Sequence, residues 1–361
     1  MLNGVRVVEI EGLGPGPFAA MMLADLGAEV TVIHRRAKPD ALTSDPSLLD
    51  RGKRSILLDL KDQTDLKVAK ALISGSDMLI EGFRPGVMER LGLGPDEMHA
   101  TNRTLVYGRM TGWGQTGPKA HSAGHDFTYL ASSGALWYAS PPGQPPFPPP
   151  TLLGDVGGGA LYLVAGLLAG HISALRTGQG TVVDAAIVDG SAHMMSLLMA
   201  LSQAGHIPET RGTGLLDGPH WSRSYVCACG GHIAVQAIEP KFYREFIGLL
   251  GLSDDPEMQT QTDPALWPAQ IARLTQVFSA KPLTHWAKLF EGSDACAAPV
   301  LSPSQAATDP HNAARGVWGG TPLQPAPAPR FNNRAPDIAT PPARGEDRAA
   351  ILSDLKDRGL L

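Results

Sequence analysis

Features that would assign this sequence to a class at once are scarce. It has only three cysteines, Cys227, Cys229 and Cys296, so it has no disulfide framework, and a reducing compartment, the cytoplasm, is predicted. Cys227 and Cys229 are separated by one residue, which is not the spacing of a redox or zinc motif. The net charge of -5 and the pI near 6.1 argue against nucleic-acid and membrane-surface partners.

A segment typical of a signal peptide or a membrane span is also lacking. Residues 1–12, MLNGVRVVEIEG, are typical of a strand and lack an apolar core followed by a cleavage site. The most apolar later stretch, residues 160–175, is short for a membrane span and contains Gly166 and Gly170. We expect a buried helix there. With 361 residues, 43% of them hydrophobic, the chain is typical of a globular protein of two lobes.

Short apolar runs alternate regularly with helical patterns in the first half of the chain. Strands are predicted at residues 5–10, 29–33, 55–58, 78–81, 105–108 and 181–187. Strands separated by helices indicate parallel βαβ units, so the predicted class is α/β, with a Rossmann-like open parallel sheet covered on both faces. Ligands of such sheets bind at the carboxyl ends of the strands.

The pattern changes near residue 223 to strands followed by amphipathic helices, which predicts a smaller α+β domain. We predict a large domain over residues 1–205, completed by residues 330–361, then a linker over 206–222 and a small domain over 223–320. Residues 321–329, rich in proline and alanine, are expected to be a second linker. A Met- and Leu-rich helix is expected near residues 191–201, and a terminal helix at 346–357 is expected to pack on the first lobe.

The loop after the first strand carries Gly12, Gly14 and Gly16, a pattern similar to a dinucleotide-binding loop. The third glycine of that fingerprint would fall at position 17, which is proline. Arg35 and Arg36 follow the second strand, where a nicotinamide enzyme would need an acid to hold the ribose. Hydride transfer is therefore disfavoured, and the basic residues favour a ligand phosphate. Tight turn geometry alone is the alternative explanation of the glycines.

Further basic residues lie near other predicted strands. Arg84 and Arg109 follow strand ends, and residues 51–54, RGKR, form a compact cluster that includes Arg54. A charge run by itself is usually a solvated edge. In combination with Arg35, these residues favour a phosphorylated ligand.

Two residues are candidates for proton transfer. His125 follows Gly124 at the expected start of a helix, although a histidine there can also be structural. Asp155 precedes three glycines and an apolar helix, so it is either a helix N-cap or a carboxylate beside N–H groups that can stabilise an anion. His121 and His125 lack an evident third ligand, so no metal site is predicted. No GxSxG elbow surrounds Ser191, which disfavours a serine hydrolase.

Together these stretches resemble the α-methylacyl-CoA racemases of the family III CoA transferase (CaiB/BaiF-type) superfamily. The resemblance runs almost from end to end, and the GHD triplet and the GDVGGG loop are closest to the racemase branch. The segments that carry it are VRVVEIEGLGPGPFAAMMLADLGAEV, RGKRSILLDLK, EGFRPGVMERLGLGP, YGRMTGWGQTGP, AGHDFTYLASSGAL, LLGDVGGGALYLVAGLLA, GQGTVVDAAIVDGSA, IAVQAIEPKFY and DACAAPVL.

The resemblance implies racemisation of 2-methylacyl-CoA thioesters by 1,1-proton transfer through an enolate, a reaction of fatty acid metabolism. It implies that His125 and Asp155 are the acid/base pair and that Glu239 orients the histidine. It also implies an interlocked, ring-like homodimer, with no cofactor besides the coenzyme A of the substrate and no nucleic-acid or membrane partner. The residues expected to bind coenzyme A or to offer backbone N–H groups beside it are Arg35, Arg54, Arg84, Arg109, Gly157 and Gly158.

The sequence departs from the family pattern at His34, where an acid is usual, and at residues 218–225 and 228–230. Two alternatives stay open. One is a CoA transferase of the same superfamily, with Asp155 as a covalent nucleophile. The other is a non-catalytic acyl-CoA binding protein. The transferase is disfavoured because His125 is present and no GGGGQ-type loop occurs near residues 212–218. The sequence does not define the acyl chain.

Overall fold

The structure is a computed structural model that describes residues 1–37, 44–334 and 337–361. The chain divides into a first unit, residues 1–136, 148–195 and 316–361, and a second unit, residues 137–147 and 196–315. Residues 137–147 and 196–205, predicted in the large domain, thus lie in the second unit, and residues 316–320 lie in the first. Residues 38–43 and 335–336 of the predicted large domain lie outside the described residues.

The elements are numbered in chain order. The strands are β1 (Arg6–Ile10), β2 (Glu29–Arg35), β3 (Arg54–Leu58), β4 (Met78–Glu81), β5 (Val106–Thr111), β6 (Thr181–Ala186), β7 (Ser222–Val226), β8 (His232–Gln236), β9 (Ala297–Pro299), β10 (Trp318–Gly319) and β11 (Gln324–Pro325). The helices are α1 (Pro15–Asp25), α2 (Gln63–Ser74), α3 (Val87–Arg90), α4 (Pro95–Thr101), α5 (Asp126–Ser133), α6 (Leu161–Thr177), α7 (Ile187–Met194), α8 (Ser196–Gln203), α9 (Pro240–Leu249), α10 (Trp267–Ser279), α11 (Leu283–Phe290), α12 (Pro303–Thr308), α13 (Pro310–Arg315) and α14 (Arg348–Asp357). A π-helical segment, Leu152–Ala160, leads directly into α6.

A parallel sheet in the order β3-β2-β1-β4-β5-β6 forms the centre of the first unit. Each neighbouring pair is parallel. The inner strands are nearly continuous apolar runs because both faces are covered by helices. The predicted α/β class is confirmed. The strand order reverses between β1 and β4, and that switch point is where a ligand crevice forms in such sheets.

Helices bury a separate core on each face of this sheet. On one face, Leu23 of α1 and Leu163 of α6 pack with Val106 of β5. On the other face, Ile351 and Leu355 of α14 are buried in the cluster that also contains α2 and α4. The prediction that the terminal helix packs on the first lobe is confirmed.

The helix that runs from Leu152 to Thr177 is, within the described residues, the one long and apolar enough to cross a membrane by length and composition. Its buried face packs on the sheet. A Cβ atom at Gly166 would meet Val183, and one at Gly170 would meet Val106, so glycine allows the helix to approach the strands closely. The prediction of a buried helix holds for this face only, because Leu161, Ile172 and Leu175 on the rest of the helix are exposed.

The second unit contains an antiparallel sheet in the order β7-β8-β9. Its core is aromatic, with Trp221, Phe246 and Phe278 almost completely buried. His220 is also fully buried, and burial, aided by the charge of Arg223, lowers its pKa to about 4. His220 and Trp221, within residues 218–225, thus serve the packing of this unit.

Two predicted segments differ in the structure. The single helix expected near residues 191–201 is two helices, α7 and α8, because the chain passes from the first unit to the second after Met195. The prediction of a linker at residues 321–329 was wrong. Gln324 is buried there and accepts a hydrogen bond from Nη1 of Arg51 at 3.0 Å, which fixes this segment to the first unit.

Candidate active site

A cavity of about 470 Å³ lies in the first unit at the carboxyl ends of β1, β4 and β5. Its wall includes residues 12–17 after β1, Gly82 after β4, and Gly112 after β5. His125, Tyr129 and Asp155 complete the polar part of the wall. The cavity therefore occupies the switch point of the sheet, where the fold predicts a ligand site.

His125 is the N-cap residue of α5. Its backbone N–H donates to Thr128 Oγ1 at 3.0 Å, and that hydroxyl donates to the His125 carbonyl at 2.7 Å. The predicted position at a helix start is confirmed. Because these bonds use only backbone atoms of His125, the imidazole stays exposed on the cavity wall.

Asp155 is the fourth residue of the π-helical segment, whose N-cap is Thr151. The explanation of Asp155 as a helix cap was therefore wrong, because the helix begins before it. Burial, reinforced by the charge of Asp126, raises the pKa of Asp155 to about 6, although His125 acts in the opposite direction. A carboxyl with this pKa can hold or release a proton near neutral pH.

The glycine loop lies directly against Asp155. Gly14 has a φ of +66°, which favours glycine, and a Cβ atom there would lie 3.5 Å from Oδ2 of Asp155. Turn geometry and close approach to the carboxyl together account for this glycine.

Tyr129 is a site residue that the sequence analysis missed. Its ring fills the space beside Gly112 and Gly124, where any larger residue would overlap it. The ring also makes an edge contact with Trp113, with centroids 4.8 Å apart. Burial, together with the charge of Asp155, raises the pKa of Tyr129. The spacing of four residues from His125 on one helix was the signal that could have found it.

A second pocket of about 190 Å³ shares His125 and Tyr129 with the cavity. Phe83, Arg84 and Trp113 line it. Arg84 is exposed, and in the described part of the chain no carboxylate forms a salt bridge with it. Of the predicted phosphate-binding arginines, Arg84 is the one that lies beside His125.

The other predicted arginines occupy three different environments. Arg35 ends β2 and is exposed, with Nε 3.3 Å from Glu11. Arg54 begins β3 and lines a groove at the amino ends of the strands, on the opposite edge from the cavity. Arg109 is buried and forms salt bridges with Glu81 at 2.9 Å and Glu89 at 2.8 Å. The structure does not bring these three arginines together.

Glu81 shows how strongly the Arg109 site is shielded from water. Burial raises the pKa of Glu81 to about 7, even though Arg109 acts to lower it. The guanidinium of Arg109 thus already has two carboxylate partners inside the protein.

The basic cluster at residues 51–54 is also largely internal. Lys53 Nζ is completely buried and lies 2.5 Å from Glu9 and 3.3 Å from Asp50. Arg51 pairs with Asp25 at 2.5 Å. His34 lies 3.3 Å from the same Asp50. These charges hold the first unit together.

Gly157 and Gly158 are not among the residues that line the cavity. Gly158 is buried against α7, and a Cβ atom there would overlap Ser191. A Cβ atom at Gly157 would touch Met194 of the same helix. Glu239 is the exposed N-cap residue of α9 in the second unit. Throughout the described ranges, no three histidine, cysteine, aspartate or glutamate side chains are grouped as metal ligands would be.

Fold and geometry together define an α/β protein with an imidazole and a carboxyl of raised pKa on the wall of one cavity. Residues 2–348 match the family described as CoA-transferase family III, and the chain belongs to that family. The resemblance found in the sequence is confirmed.

Relatives and solved structures agree with this assignment. The chain is 38% identical to the α-methylacyl-CoA racemase of Mus musculus, with 98% of this chain and 93% of the relative covered. It is 39% identical to the α-methylacyl-CoA racemase of Homo sapiens, over 98% and 93% of the two chains. The crystal structure of a CaiB/BaiF family protein from Brucella suis superposes with a TM-score of 0.83 at 25% identity, covering 98% of both chains.

Proposed function

We propose that this protein is an isomerase that racemises 2-methylacyl-CoA thioesters at the α-carbon. The observation that carries the proposal is the placement of His125 and Asp155 on the wall of one cavity. The mouse and human relatives, both named racemases and aligned over 98% of this chain, support it.

The proposed reaction is a 1,1-proton transfer. The thioester carbonyl acidifies the α-hydrogen, one group removes that hydrogen as a proton, and an enolate forms. The other group then returns a proton to the opposite face. An imidazole and a carboxyl with a pKa of about 6 suit this exchange, because each can hold or release a proton near pH 7. A metal or redox cofactor is not needed for such a transfer.

Neither group is a strong base, so stabilisation of the enolate oxygen must supply much of the rate. Helix α5 begins directly after His125, and its positive dipole end and first N–H groups therefore lie beside the cavity. Backbone N–H groups at Gly157 and Gly158 stay part of the proposal. Their packing against α7 makes α5 the better-placed source of hydrogen bonds.

Coenzyme A carries three phosphoryl groups, and we propose that exposed arginines bind them. Arg84, beside His125, and Arg35, on the same edge of the sheet, have the exposure that this role requires. Binding by Arg54 stays a prediction, whereas the two salt bridges of Arg109 favour a structural role for that arginine. All three cysteines are free, in keeping with the cytoplasmic location predicted above.

We also propose the interlocked homodimer, with the Glu239 of one subunit acting at the His125 of the other. The test is a mixture of His125→Ala and Glu239→Ala subunits, unfolded and refolded together. If the two residues act across subunits, mixed dimers contain one intact site and recover activity. Sites built within one subunit would each keep a defect, and mixing would then restore nothing.

The racemase proposal is tested by α-deuterium exchange. A panel of 2-methylacyl-CoA esters in deuterated buffer should lose the α-hydrogen signal in NMR spectra, and each pure epimer should become a mixture. Absence of exchange across the whole panel would refute the proposal.

The family description keeps a CoA transferase as the second candidate. In that reaction the Asp155 carboxylate attacks the thioester carbonyl, the CoA thiolate leaves, and a mixed anhydride with the protein remains. Incubation with an acyl-CoA and a different free acid separates the two reactions. Movement of CoA to the second acid, with no α-exchange, would favour the transferase. Tight CoA binding with neither activity would identify a non-catalytic binding protein.

A further inference from the structure

Asp126 connects the two proposed proton carriers. It follows His125 in the chain as the first residue of α5, and its Oδ1 accepts the backbone N–H of Asp155 at 2.8 Å. One partner is thus held covalently and the other by a hydrogen bond across 29 positions of sequence. The proposed mechanism above does not use this side chain.

Gly154 provides the space for this hydrogen bond. A Cβ atom at Gly154 would overlap the Asp126 carboxylate and press on Leu130, so only glycine at 154 allows the π-helical segment to reach Asp126. The bond therefore fixes the start of α5 against the segment that carries Asp155.

We propose that Asp126 is a positioning residue, which sets the place of the Asp155 carboxyl relative to His125 and holds a negative charge beside it. This inference rests on the proposed racemase function. It adds the reason why a carboxyl can exchange roles with an imidazole. A racemase works on both epimers, so each of its two proton carriers must be able both to donate and to accept a proton at the working pH.

The charges around Asp155 support this role. An ordinary aspartate has a pKa near 3.8 and an ordinary histidine near 6.5. Burial, and next to it the Asp126 charge, raise the pKa of Asp155 to about 6, while His125 acts against them. Tyr129 of α5 also faces it, and Arg84 acts on Tyr129. The other ionisable residues on the elements packed against the π-helical segment are Asp25, Tyr107, Arg109, Tyr162, His171, Arg176, Asp184, Asp189 and His193.

Two variants separate the charge of Asp126 from its hydrogen bond. Asp126→Asn keeps an oxygen that can accept the Asp155 N–H, and Asp126→Ala removes both. In Asp126→Asn we expect kcat for α-exchange to fall about tenfold at unchanged KM, and the midpoint at which Asp155 becomes a base to move down by about 0.5–1 pH unit. In Asp126→Ala we expect kcat to fall about 100-fold. A wild-type pH profile in Asp126→Asn, or a wild-type kcat with a lowered melting temperature in Asp126→Ala, overturns the proposal.

The matched control is Asp96→Asn, which removes the same charge from the first turn of α4. It should leave the exchange rate and its pH profile unchanged. A readout independent of activity is the titration of Asp155 by 13C NMR in aspartate-labelled protein, assigned with Asp155→Asn. A lower Asp155 midpoint in Asp126→Asn than in wild type supports the proposal even if no exchange occurs, and equal midpoints overturn it.

Discussion

Lys53 and Asp155 both lie in the first unit, yet their surroundings are opposite. The ammonium of Lys53 is completely buried and touches two carboxylates, Glu9 and Asp50. Asp155 has no salt bridge among the described residues. The charged side chain to which its backbone N–H donates belongs to another acid, Asp126. Arg109, with its two glutamates, belongs with Lys53. Lys53 and Arg109 are thus paired with opposite charges, whereas Asp155, which we propose as a proton carrier, faces a like charge.

The largest effect should come from removing the two proposed proton carriers. His125→Ala and Asp155→Ala are each expected to lower kcat for racemisation by about 10³-fold or more, since an enolate formed by the one remaining group is not reprotonated on the opposite face. Melting temperatures should stay within a few degrees of wild type. If either variant lost activity only in proportion to its unfolded fraction, the role of that residue would be structural, like that of Lys53.

Removing the cation from the buried cluster should act on stability instead. Lys53→Met leaves Glu9 and Asp50 without their shared partner, and we expect a loss of about 3–5 kcal/mol in the free energy of unfolding. Urea denaturation measures this, with Lys67→Met on the exposed side of α2 as the control. The folded Lys53→Met protein should retain its exchange activity per molecule. A stability equal to that of the control would contradict the assigned role.

Arg84 and Arg109 test the same contrast between unpaired and paired charges, with the KM for an acyl-CoA as the measurement. Arg84→Ala is expected to raise KM for an acyl-CoA about tenfold, or about 1.4 kcal/mol, because an exposed guanidinium beside the site is lost. Arg109→Ala is expected to lower the melting temperature and to change KM by less than about twofold, because its charge is already paired. The reverse pattern in steady-state kinetics would exchange the two assignments.

The smallest effect concerns the stability cost of the active carboxyl. The pKa of Asp155 is raised from 3.8 to about 6 on folding, so between these values the native state binds more protons than the unfolded state. Stability must therefore fall as the pH rises from about 4 to 6. Asp155→Asn should be more stable than wild type by about 1 kcal/mol at pH 8, allowing for solvent screening, and equal to it near pH 4. Urea titrations at both pH values check this, and an equal difference at both would contradict it.

The strands of the first unit were predictable because both faces of the sheet are buried, so apolar runs mark them directly. The break at Met195 was not, because the Met- and Leu-rich composition continues through it while the chain changes unit. The partners of Arg109 and Arg51 were also hidden. Glu89 and Asp25 lie on other elements, and only the packed sheet brings them within salt-bridge distance.

The site itself was half predictable. His125 and Asp155 were found as candidates, but the sequence left Asp155 open between a cap and an acid. Only the helix start at Leu152 decides against the cap. The spacing of four residues between His125 and Tyr129 was present in the sequence, but the hydrogen bond from Asp155 to Asp126 depends on how α5 meets the π-helical segment, and local patterns do not contain that information.

The return of the last segment to the first unit has a consequence for biosynthesis. Ser55 of β3 donates its N–H to Asp347, 292 positions later, and α14 then buries Ile351 and Leu355 over that region of the sheet. During synthesis on the ribosome, β3 therefore cannot pack against α14 until the entire second unit, residues 137–147 and 196–315, has been synthesised. Synthesis of the second unit is complete before synthesis of the first unit. During that interval the face of the parallel sheet that α14 covers in the folded protein stays exposed.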